Sequence, residues 1–486
     1  MFIESAKLFR KIHEQQQQQS SKTRSQSELA TISSSYRKLL SDFLLPPTNE
    51  KSFTEVFEKH GTVTLLKQTH YRQLLALWDL CDILYFTDGD KRMTGLKLLQ
   101  WLNKNDKGIH RFDLQGIMNN SRGPIDHPDF WPCIYKLIFR REFKTLIDFI
   151  KIAKNKQFTS KEASQLLDHL LRVIIDVPSI PRTTTATTLK NDQQDTIDKY
   201  ISDWSKWREK VYKTAESLQK GGDRSILMHQ KSLLNALAIL HGQQKTILNQ
   251  ADHPTEAIIC FILNNHPFAT PHEIRTIITN ELDISLKHQQ DDNERFYAFG
   301  MMIKGNIAEA LDCFRPDDWW TLVHLVDLFG LSTENLACNY ISTIGIQLFD
   351  QEDVQQQLYS MEFRTFLILT YVRLLGQQSS LWKYGLDYIK TCGDLGKKAL
   401  MNYIQCIPTN NSIGVQELLE LCIEKDYVKE VVEIYKHEAD KGIKDSYSKA
   451  IRYLYDIGNY SYLEDICELG IYQFASTGNN ANLNHC

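Results

Sequence analysis

The chain has 486 residues, and 56 Lys plus Arg residues against 60 Asp plus Glu residues give it a formal net charge of −4. Hydrophobic residues make up 42% and aromatic residues 10%, a globular composition that excludes wholesale disorder and collagen-like order. The near-neutral charge disfavours a dedicated nucleic-acid-binding protein, because such proteins usually carry a basic face. The length fits either roughly two to four compact domains or one array of helical repeats.

Membrane insertion and secretion are disfavoured by the sequence. No stretch approaches ~18 consecutive apolar residues, so no transmembrane span is predicted. The start of the chain, Met1–Glu14, places Glu4, Lys7 and Arg10 among its apolar residues, which a secretory signal does not tolerate. The ten cysteines are scattered without a Cys-x-x-Cys pair, which predicts reduced, mostly buried thiols in a cytosolic or nuclear protein. A disulfide framework or a structural zinc site is the alternative.

The first elements along the chain are predicted as helices separated by polar segments. Met1–Glu14 favours a helix, and the low-complexity segment 15–27 is predicted as a loop or as an extension of that helix. Asp79–Tyr85 has helical spacing, although the dipeptide Asp88-Gly89 could turn a hairpin. Helix starts are predicted at Ser/Thr-x-x-Glu capping boxes, in which hydroxyl and carboxylate each bind a backbone N–H. The boxes are Ser52–Glu55, Thr159–Glu162, Thr270–Glu273 and Ser461–Glu464.

The second half of the chain continues the helical pattern after one interruption. Residues 178–195 are rich in Thr and contain two prolines, so we predict a surface loop there. Apolar side chains between Met361 and Leu375 recur at helical spacing, and Gly376 after them suits a left-handed helix cap. Two further helices are predicted at Leu381–Lys390 and Leu395–Ile407.

These patterns predict an all-α fold of roughly twenty helices, each about 10–20 residues long. Most linkers are short, which makes sequence neighbours antiparallel neighbours in space and favours a stacked array of helical pairs. We find no fixed period of about 34 or 40 residues that would identify a named repeat. The prediction is therefore one irregular, elongated α-solenoid over residues 1–486.

A search for catalytic motifs finds none, so we predict a non-enzyme without catalytic, cofactor-binding or metal-binding residues. Phosphate loops, dinucleotide-binding glycine motifs, zinc helices and nucleophile elbows are all missing from the sequence. Asp88 and Asp90 are spaced like the first ligands of a calcium loop. Leu99 stands where that loop needs a bidentate Glu, so a solvated turn is the better interpretation.

Two other groups of polar residues leave alternatives open. His253, His266 and His272 form a local cluster that could hold zinc, but their spacing favours ordinary loop and cap histidines. Asp317 and Asp318 could act as an acid–base pair, yet carboxylates at a helix start more often cap the helix and oppose its dipole.

The eight tryptophans all lie in or at the start of predicted helices. Filling seams between helices is the simpler interpretation, and anchoring a partner protein is the alternative. They are Trp78, Trp101, Trp131, Trp204, Trp207, Trp319, Trp320 and Trp382.

Several of these tryptophans belong to distinctive sequence blocks. The first block is Trp319-Trp320-Thr-Leu-Val-His324-Leu-Val-Asp327-Leu, and the second runs from Glu362-Phe363-Arg364 through Trp382-x-x-Gly385-x-Asp387-Tyr388. Upstream blocks are Leu77–Leu80, Gln100–Leu102, Phe130-Trp131 and Trp204–Glu209. In this order, from about Leu74 to Ile423, the blocks resemble the eighty-five-kilodalton nucleoporin family, scaffold proteins of the Y-shaped subcomplex in the outer ring of the nuclear pore.

The resemblance implies a helical stack folded back on itself, with a trunk, a crown and a tail. It implies a structural subunit that supports nuclear pore assembly and transport of protein and mRNA, located at the nuclear envelope and peripheral to the membrane. Other outer-ring nucleoporins are the expected partners, with no cofactor and no direct contact with nucleic acid. Family members begin with a β-blade that completes a WD-repeat β-propeller; because this chain begins with the helical Met1–Glu14, we expect that contact less than the others.

Two other functions remain open at this point. A subunit of a vesicle coat or tethering complex would share the solenoid architecture and differ only in its partners. An enzyme with an all-helical site is the third hypothesis, although no convergent set of titratable residues supports it.

Overall fold

The computed structural model consists of helices joined by turns, and its described residues contain no β-strand. The all-α class and the number of helices are therefore confirmed for the described part of the chain. The described residues are 1–18, 24–44, 70–87, 91–106, 108–109, 112–156, 161–180, 190–220, 227–282, 294–314, 318–332, 363–378, 381–406, 431–432, 446–461, 463–464, 467–468 and 471.

The chain divides into two compact units. Unit 1 combines Met1–Arg24 with Asp318–Cys486, and unit 2 comprises Ser25–Asp317. The helices of unit 1 are α1 (Phe2–Gln18), α16 (Trp319–Leu331), α17 (Phe363–Gly376), α18 (Trp382–Lys390), α19 (Gly393–Cys406) and α20 (Ser446–Asp456).

Unit 2 contains the remaining helices, of which α3 continues into the π-helical turn Asp82–Phe86. They are α2 (Gln26–Leu44), α3 (residues 70–81), α4 (Thr94–Asn105), α5 (Leu114–Met118), α6 (Phe130–Phe139), α7 (Phe143–Lys154), α8 (Lys161–Ile175), α9 (Lys190–Lys220), α10 (Leu227–His241), α11 (Gln244–Gln250), α12 (Pro254–Asn265), α13 (Pro271–Glu281), α14 (Glu294–Lys304) and α15 (Ile307–Asp312).

Within unit 2 the chain doubles back on itself. Several consecutive helices pack together, such as α6 with α7 and α7 with α8, and early helices also pack against late ones: α4 against α12, and α6 against α10 and α12. The hydroxyl of Tyr85 donates to the carbonyl of Met302 at 2.7 Å, which joins positions 217 residues apart. The core of this unit is thus built between two runs of helices.

A buried ionic cluster lies where these two runs meet. Glu256 on α12 is fully buried and lies 2.7 Å from the ammonium of Lys136 and 3.0 Å from Nε of Arg140, both on α6. Asp106, which follows α4, pairs with Arg140, and Asp252 lies 2.5 Å from Lys136. Each buried charge therefore has a partner of opposite sign, which offsets the cost of removing it from water.

Unit 1 is held together by contacts between the two ends of the described chain. Helix α1 packs against α18, while α16 and α18 both pack against α17. Further along, Ala450 and Leu454 of α20 form a small apolar cluster with Val432.

The three helices predicted between Met361 and Ile407 are confirmed. They occupy α17, α18 and α19, with described boundaries within two residues of the predicted ones. The cap predicted at Gly376 is wrong, because that residue belongs to α17 and does not have a positive φ. A Cβ at Gly376 would lie 2.6 Å from the ring of Tyr403, so close packing against α19 explains the glycine.

Both predicted loops are shorter than expected. Helix α1 continues through Gln18 and α2 begins at Gln26, so the glutamines of segment 15–27 partly extend the helix. Residues 178–180 are non-helical, but α9 begins at Lys190, because Lys190–Asp195 contains none of the prolines and threonines that disfavour helix earlier in the segment. Residues 19–23 and 181–189 lie outside the described residues.

Several other predictions remain without a structural outcome. The boxes at Ser52 and Thr159, the dipeptide Asp88-Gly89 and Asp90 lie outside the described residues. The single elongated solenoid over 1–486 and its division into trunk, crown and tail stay predictions. Among the helices that the structure describes, none is long and apolar enough to cross a membrane.

Candidate functional site

Helix α1 buries one stripe of side chains in unit 1. Ser5, Ala6, Phe9 and Ile12 follow helical spacing, and each is at most 3% exposed. Their spacing puts them on the same face of the helix. The residues that receive this stripe come from α16 and α18, more than 300 positions later in the chain.

The upper part of this contact centres on Trp320 and His324 of α16. The indole N–H of Trp320 donates to the hydroxyl of Ser5 at 2.8 Å. His324 lies with Nδ1 2.7 Å from the carbonyl of Trp320 and Nε2 2.9 Å from the hydroxyl of Tyr388. A proton on Nδ1 lets the ring donate to the carbonyl and accept from the phenol, so both nitrogens are satisfied by a neutral ring. Phe9 stacks on Tyr388 with ring centroids 4.0 Å apart.

His324 is fully buried, and this decides its charge. Burial lowers the pKa of the imidazole to about 4, and the hydrogen bond to Trp320 and the charge of Asp327 oppose the shift only in part. The ring is therefore neutral near pH 7 and bonds within the protein through both nitrogens. It serves as a rigid polar bridge between α16 and α18.

The lower part of the contact is an ion pair network around Asp327. The Asp327 side chain is 2% exposed and lies 3.0 Å from Nε2 of His13. Arg364 on α17 donates to the same carboxylate at 3.0 and 2.5 Å and also reaches the carbonyl of Thr391 at 3.4 Å. Burial by itself raises the pKa of Asp327, but the charges of His13 and Arg364 outweigh it and hold the net pKa well below its usual range.

Two arginines complete the anchoring of α1. Arg10 donates to the carboxylate of Asp387 on α18 at 2.7 and 2.5 Å. Arg24, just beyond α1, donates its backbone N–H to the carbonyl of Leu331 and its guanidinium to the carbonyl of Ile12. Polar contacts therefore fix both the position of α1 and its rotation about its own axis.

We call the receiving residues Trp320, His324, Asp327, Asp387 and Tyr388 the α1 seat. Every one of them belongs to the two sequence blocks that resemble the nucleoporin family. The sequence marked these residues but not their contact with α1, and it missed Ser5, Phe9, Arg10 and His13 entirely. The amphipathic stripe of α1 was the available signal; it shows that a face is buried but does not name its partner.

The candidates for chemistry have structural roles. Asp318 caps α16, because its carboxylate accepts from the backbone N–H of Trp320 at 3.0 Å, and Asp317 lies outside the described residues. His253 caps α12 by accepting from the N–H of Glu256 at 3.2 Å, and His266 lies 3.0 Å from Glu281. The cap interpretation is therefore confirmed for Asp318 and His253, and His266 and His272 line one groove together.

The described residues contain no group of three or more His, Cys, Asp or Glu side chains that could hold a metal ion. The predicted lack of catalytic, cofactor and metal residues stays a prediction. Six cysteines whose side chains are described are free thiols, and four of them are buried. They are Cys81, Cys133, Cys260, Cys313, Cys392 and Cys467.

The tryptophans fill helix seams, as predicted. Seven of the eight are buried, and most of their indole N–H groups donate to a partner on another helix. Trp78 donates to Ser33, and Trp101 to the carbonyl of Ala76. Thr270 and Glu273 form the predicted capping box at the start of α13, and an unpredicted one joins Ser25 to Glu28 at the start of α2.

Comparisons with known proteins agree with the family resemblance of the sequence. The model of the Nup85 nucleoporin family matches residues 1–484. Among curated relatives, the nuclear pore complex protein Nup85 of Xenopus laevis is 22% identical over 448 residues, which cover 90% of this chain and 61% of the relative.

Relatives from distant organisms give the same result. Human nuclear pore complex protein Nup85 is 23% identical over 379 residues, covering 76% of this chain and 51% of its own length. Nucleoporin nup85 of Schizosaccharomyces pombe is 23% identical over 398 residues, covering 80% of this chain and 54% of its own length. The chain thus spans between half and about three fifths of these relatives. Because the family model extends over nearly every residue, the chain belongs to the Nup85 nucleoporin family.

Proposed function

We propose that this chain is a structural scaffold subunit of the nuclear pore outer ring. The observation that carries the proposal is the match of the Nup85 family model to residues 1–484. The relatives it resembles are named as nuclear pore complex proteins. The proposal places the chain at the nuclear envelope, with other outer-ring nucleoporins as its partners.

The contacts of unit 1 support a role in holding shape. A charged and hydrogen-bonded α1 seat costs more to misalign than an apolar one, because any shift leaves buried polar groups without partners. Asp327 alone joins α1, α16 and α17 through His13 and Arg364. Such a unit keeps its surface in one arrangement, which is what a scaffold needs to hold partners at fixed distances.

The proposal includes no catalytic activity. Capping contacts account for Asp318 and His253, and His266 pairs with Glu281. Transport of protein and mRNA would depend on the chain indirectly, through assembly of the pore. A WD-repeat β-propeller stays a possible partner within the proposal, and no direct contact with nucleic acid is proposed.

A fluorescent fusion of the full chain, imaged in dividing and non-dividing cells, tests the proposal. We expect a punctate nuclear rim and co-purification with other outer-ring nucleoporins from nuclear extracts. The matched pair Phe9→Ala and Phe2→Ala links the result to the structure, because Phe9 is fully buried in unit 1 while Phe2 is 38% exposed. The rim signal should fall for the first variant and persist for the second.

Diffuse cytosolic signal without nucleoporin partners would overturn the proposal. Golgi or endosomal puncta, together with coat or tethering subunits in the purification, would instead support the vesicle-coat alternative.

A further inference from the structure

An open groove lies over α3 in unit 2, with α2 as one wall and α4 as the other. Its volume is about 880 Å³. Residues from α2 line it at i, i+4, i+7, i+8 and i+11, so one full face of that helix borders the groove. The groove is therefore a defined concave surface, about three helical turns long at 5.4 Å per turn.

The charges of the groove do not balance. Arg37 on α2 and Lys104 on α4 reach from opposite walls to Asp79 on the floor, at 3.2 and 2.9 Å. Arg37 also lies 3.4 Å from Asp82. These two cations and two carboxylates offset one another.

Two further lysines leave an excess of positive charge. Lys38 on α2 and Lys97 on α4 line opposite walls, and no carboxylate among the described residues lies within ion-pair distance of either. The protein as a whole carries a net charge of −4, so this surface differs in sign from the average of the chain.

The floor between these lysines is partly apolar. Leu75 and Ile83 line the groove and remain half-exposed, whereas the other large apolar residues of α3 are mostly buried. An apolar floor between two positive walls fits a helix with an apolar stripe flanked by carboxylates. A nucleic acid fits less well, because its phosphates would lie against Asp79 and Asp82.

We propose that this groove, which we call the α2–α4 groove, binds an acidic amphipathic helix of a second protein. Apolar side chains of that helix would contact Leu75 and Ile83, and its carboxylates would pair with Lys38 and Lys97. The inference goes beyond the proposed function and is independent of it, since the binding requires neither the nuclear pore nor α1.

The test uses the full chain and three synthetic peptides of about 16 residues, each with Leu along one helical face. The positions beside the Leu stripe are Glu in the first peptide, Gln in the second and Lys in the third. Binding is measured by fluorescence anisotropy at low and moderate salt, and hydrogen exchange locates the bound peptide. We expect the Glu peptide to bind more tightly than the other two peptides and its binding to weaken with salt. Hydrogen exchange should slow in α2, in α4 and in the floor formed by α3 and the π-helical turn after it.

The variant Lys38→Glu/Lys97→Glu should weaken binding of the Glu peptide about tenfold, because two attractive ion pairs become repulsive. Lys199→Glu/Lys206→Glu on the exposed face of α9 is the matched control, with the same change in net charge and unchanged binding expected. Thermal unfolding checks that both variants remain folded.

Four outcomes would overturn the proposal. They are no binding of the Glu peptide at millimolar concentration, equal binding of the Gln or Lys peptide, protection only outside residues 26–44, 70–86 and 94–105, and equal loss in the control variant. Tighter binding of a single-stranded DNA oligonucleotide than of the Glu peptide would also reject it in favour of a nucleic-acid surface.

Discussion

The imidazole of His13 lies 3.0 Å from the carboxylate of Asp327, although 314 residues separate the two along the chain. The first helix of the protein is thereby part of the same buried network as α16 and α17. Unit 1 consequently cannot complete its core until the chain that forms unit 2 has been made. Its stability depends on a few polar residues, each of which can be tested.

Replacing Asp327 by Asn should strongly destabilise unit 1. The substitution keeps the shape of the side chain but leaves the Arg364 guanidinium, which is 14% exposed, without its countercharge. The free energy of unfolding should fall by about 3–5 kcal/mol, which is typical of breaking a buried ion pair. Thermal or urea unfolding measures it.

Asp387→Asn is the matched control, because Asp387 pairs with Arg10, whose side chain is 39% exposed. We expect Asp387→Asn to lower the free energy of unfolding by about 1 kcal/mol. Equal effects of the two substitutions would contradict the assignment of Asp327 as the centre of the network.

Truncating Phe9 to Ala should open the α1 seat. The ring is fully buried and stacks on Tyr388, so its loss leaves a cavity and is expected to cost about 3–5 kcal/mol. Amide hydrogen exchange should rise in α16 and α18. Phe2→Ala, on the same helix, should cost under about 1 kcal/mol, and a comparable effect there would argue against a specific seat.

The stability of unit 1 should fall as the pH drops from 7 to 5. His324 has a folded pKa of about 4, below the value of about 6.5 expected in the unfolded chain, so the unfolded state binds more protons in this window. Acidification therefore favours unfolding, by about 2 kcal/mol at pH 5 for this group.

His324→Gln removes that titration while keeping a polar side chain. The variant should be less stable than the natural protein at pH 7, but its melting temperature should change less between pH 7 and pH 5. The two proteins would show the same pH dependence if His324 were accessible to solvent and protonated in the folded state.

Glu256→Gln should destabilise unit 2 by about 3 kcal/mol or more. Its carboxylate is fully buried between Lys136 and Arg140, and the neutral amide would leave both cations undercompensated. Glu209→Gln on α9 breaks an exposed pair with Lys213, at i and i+4, and should leave the urea midpoint nearly unchanged. Urea unfolding of both variants measures the difference, and similar midpoints would show that the cluster contributes little.

Part of the candidate site was predictable. The two sequence blocks could be identified because their spacing and composition resemble a known family. Together they contain every residue of the α1 seat. Their role was not predictable, since helical periodicity marks a buried face without naming the helix that covers it. Arg364 illustrates the gap: its position in a block was clear, but its pairing with Asp327 is a tertiary contact.

By itself, the sequence determined the all-α class and the position of several helices, because periodicity and caps act within a few residues; the Thr270–Glu273 box and the boundaries of α17 and α18 are examples. Only the tertiary structure decided that α1 belongs with α16–α18 and that Gly376 serves close packing against Tyr403 rather than a turn. The physical reason is range: capping and propensity are local, whereas burial and ion pairing join whichever residues the completed fold brings together.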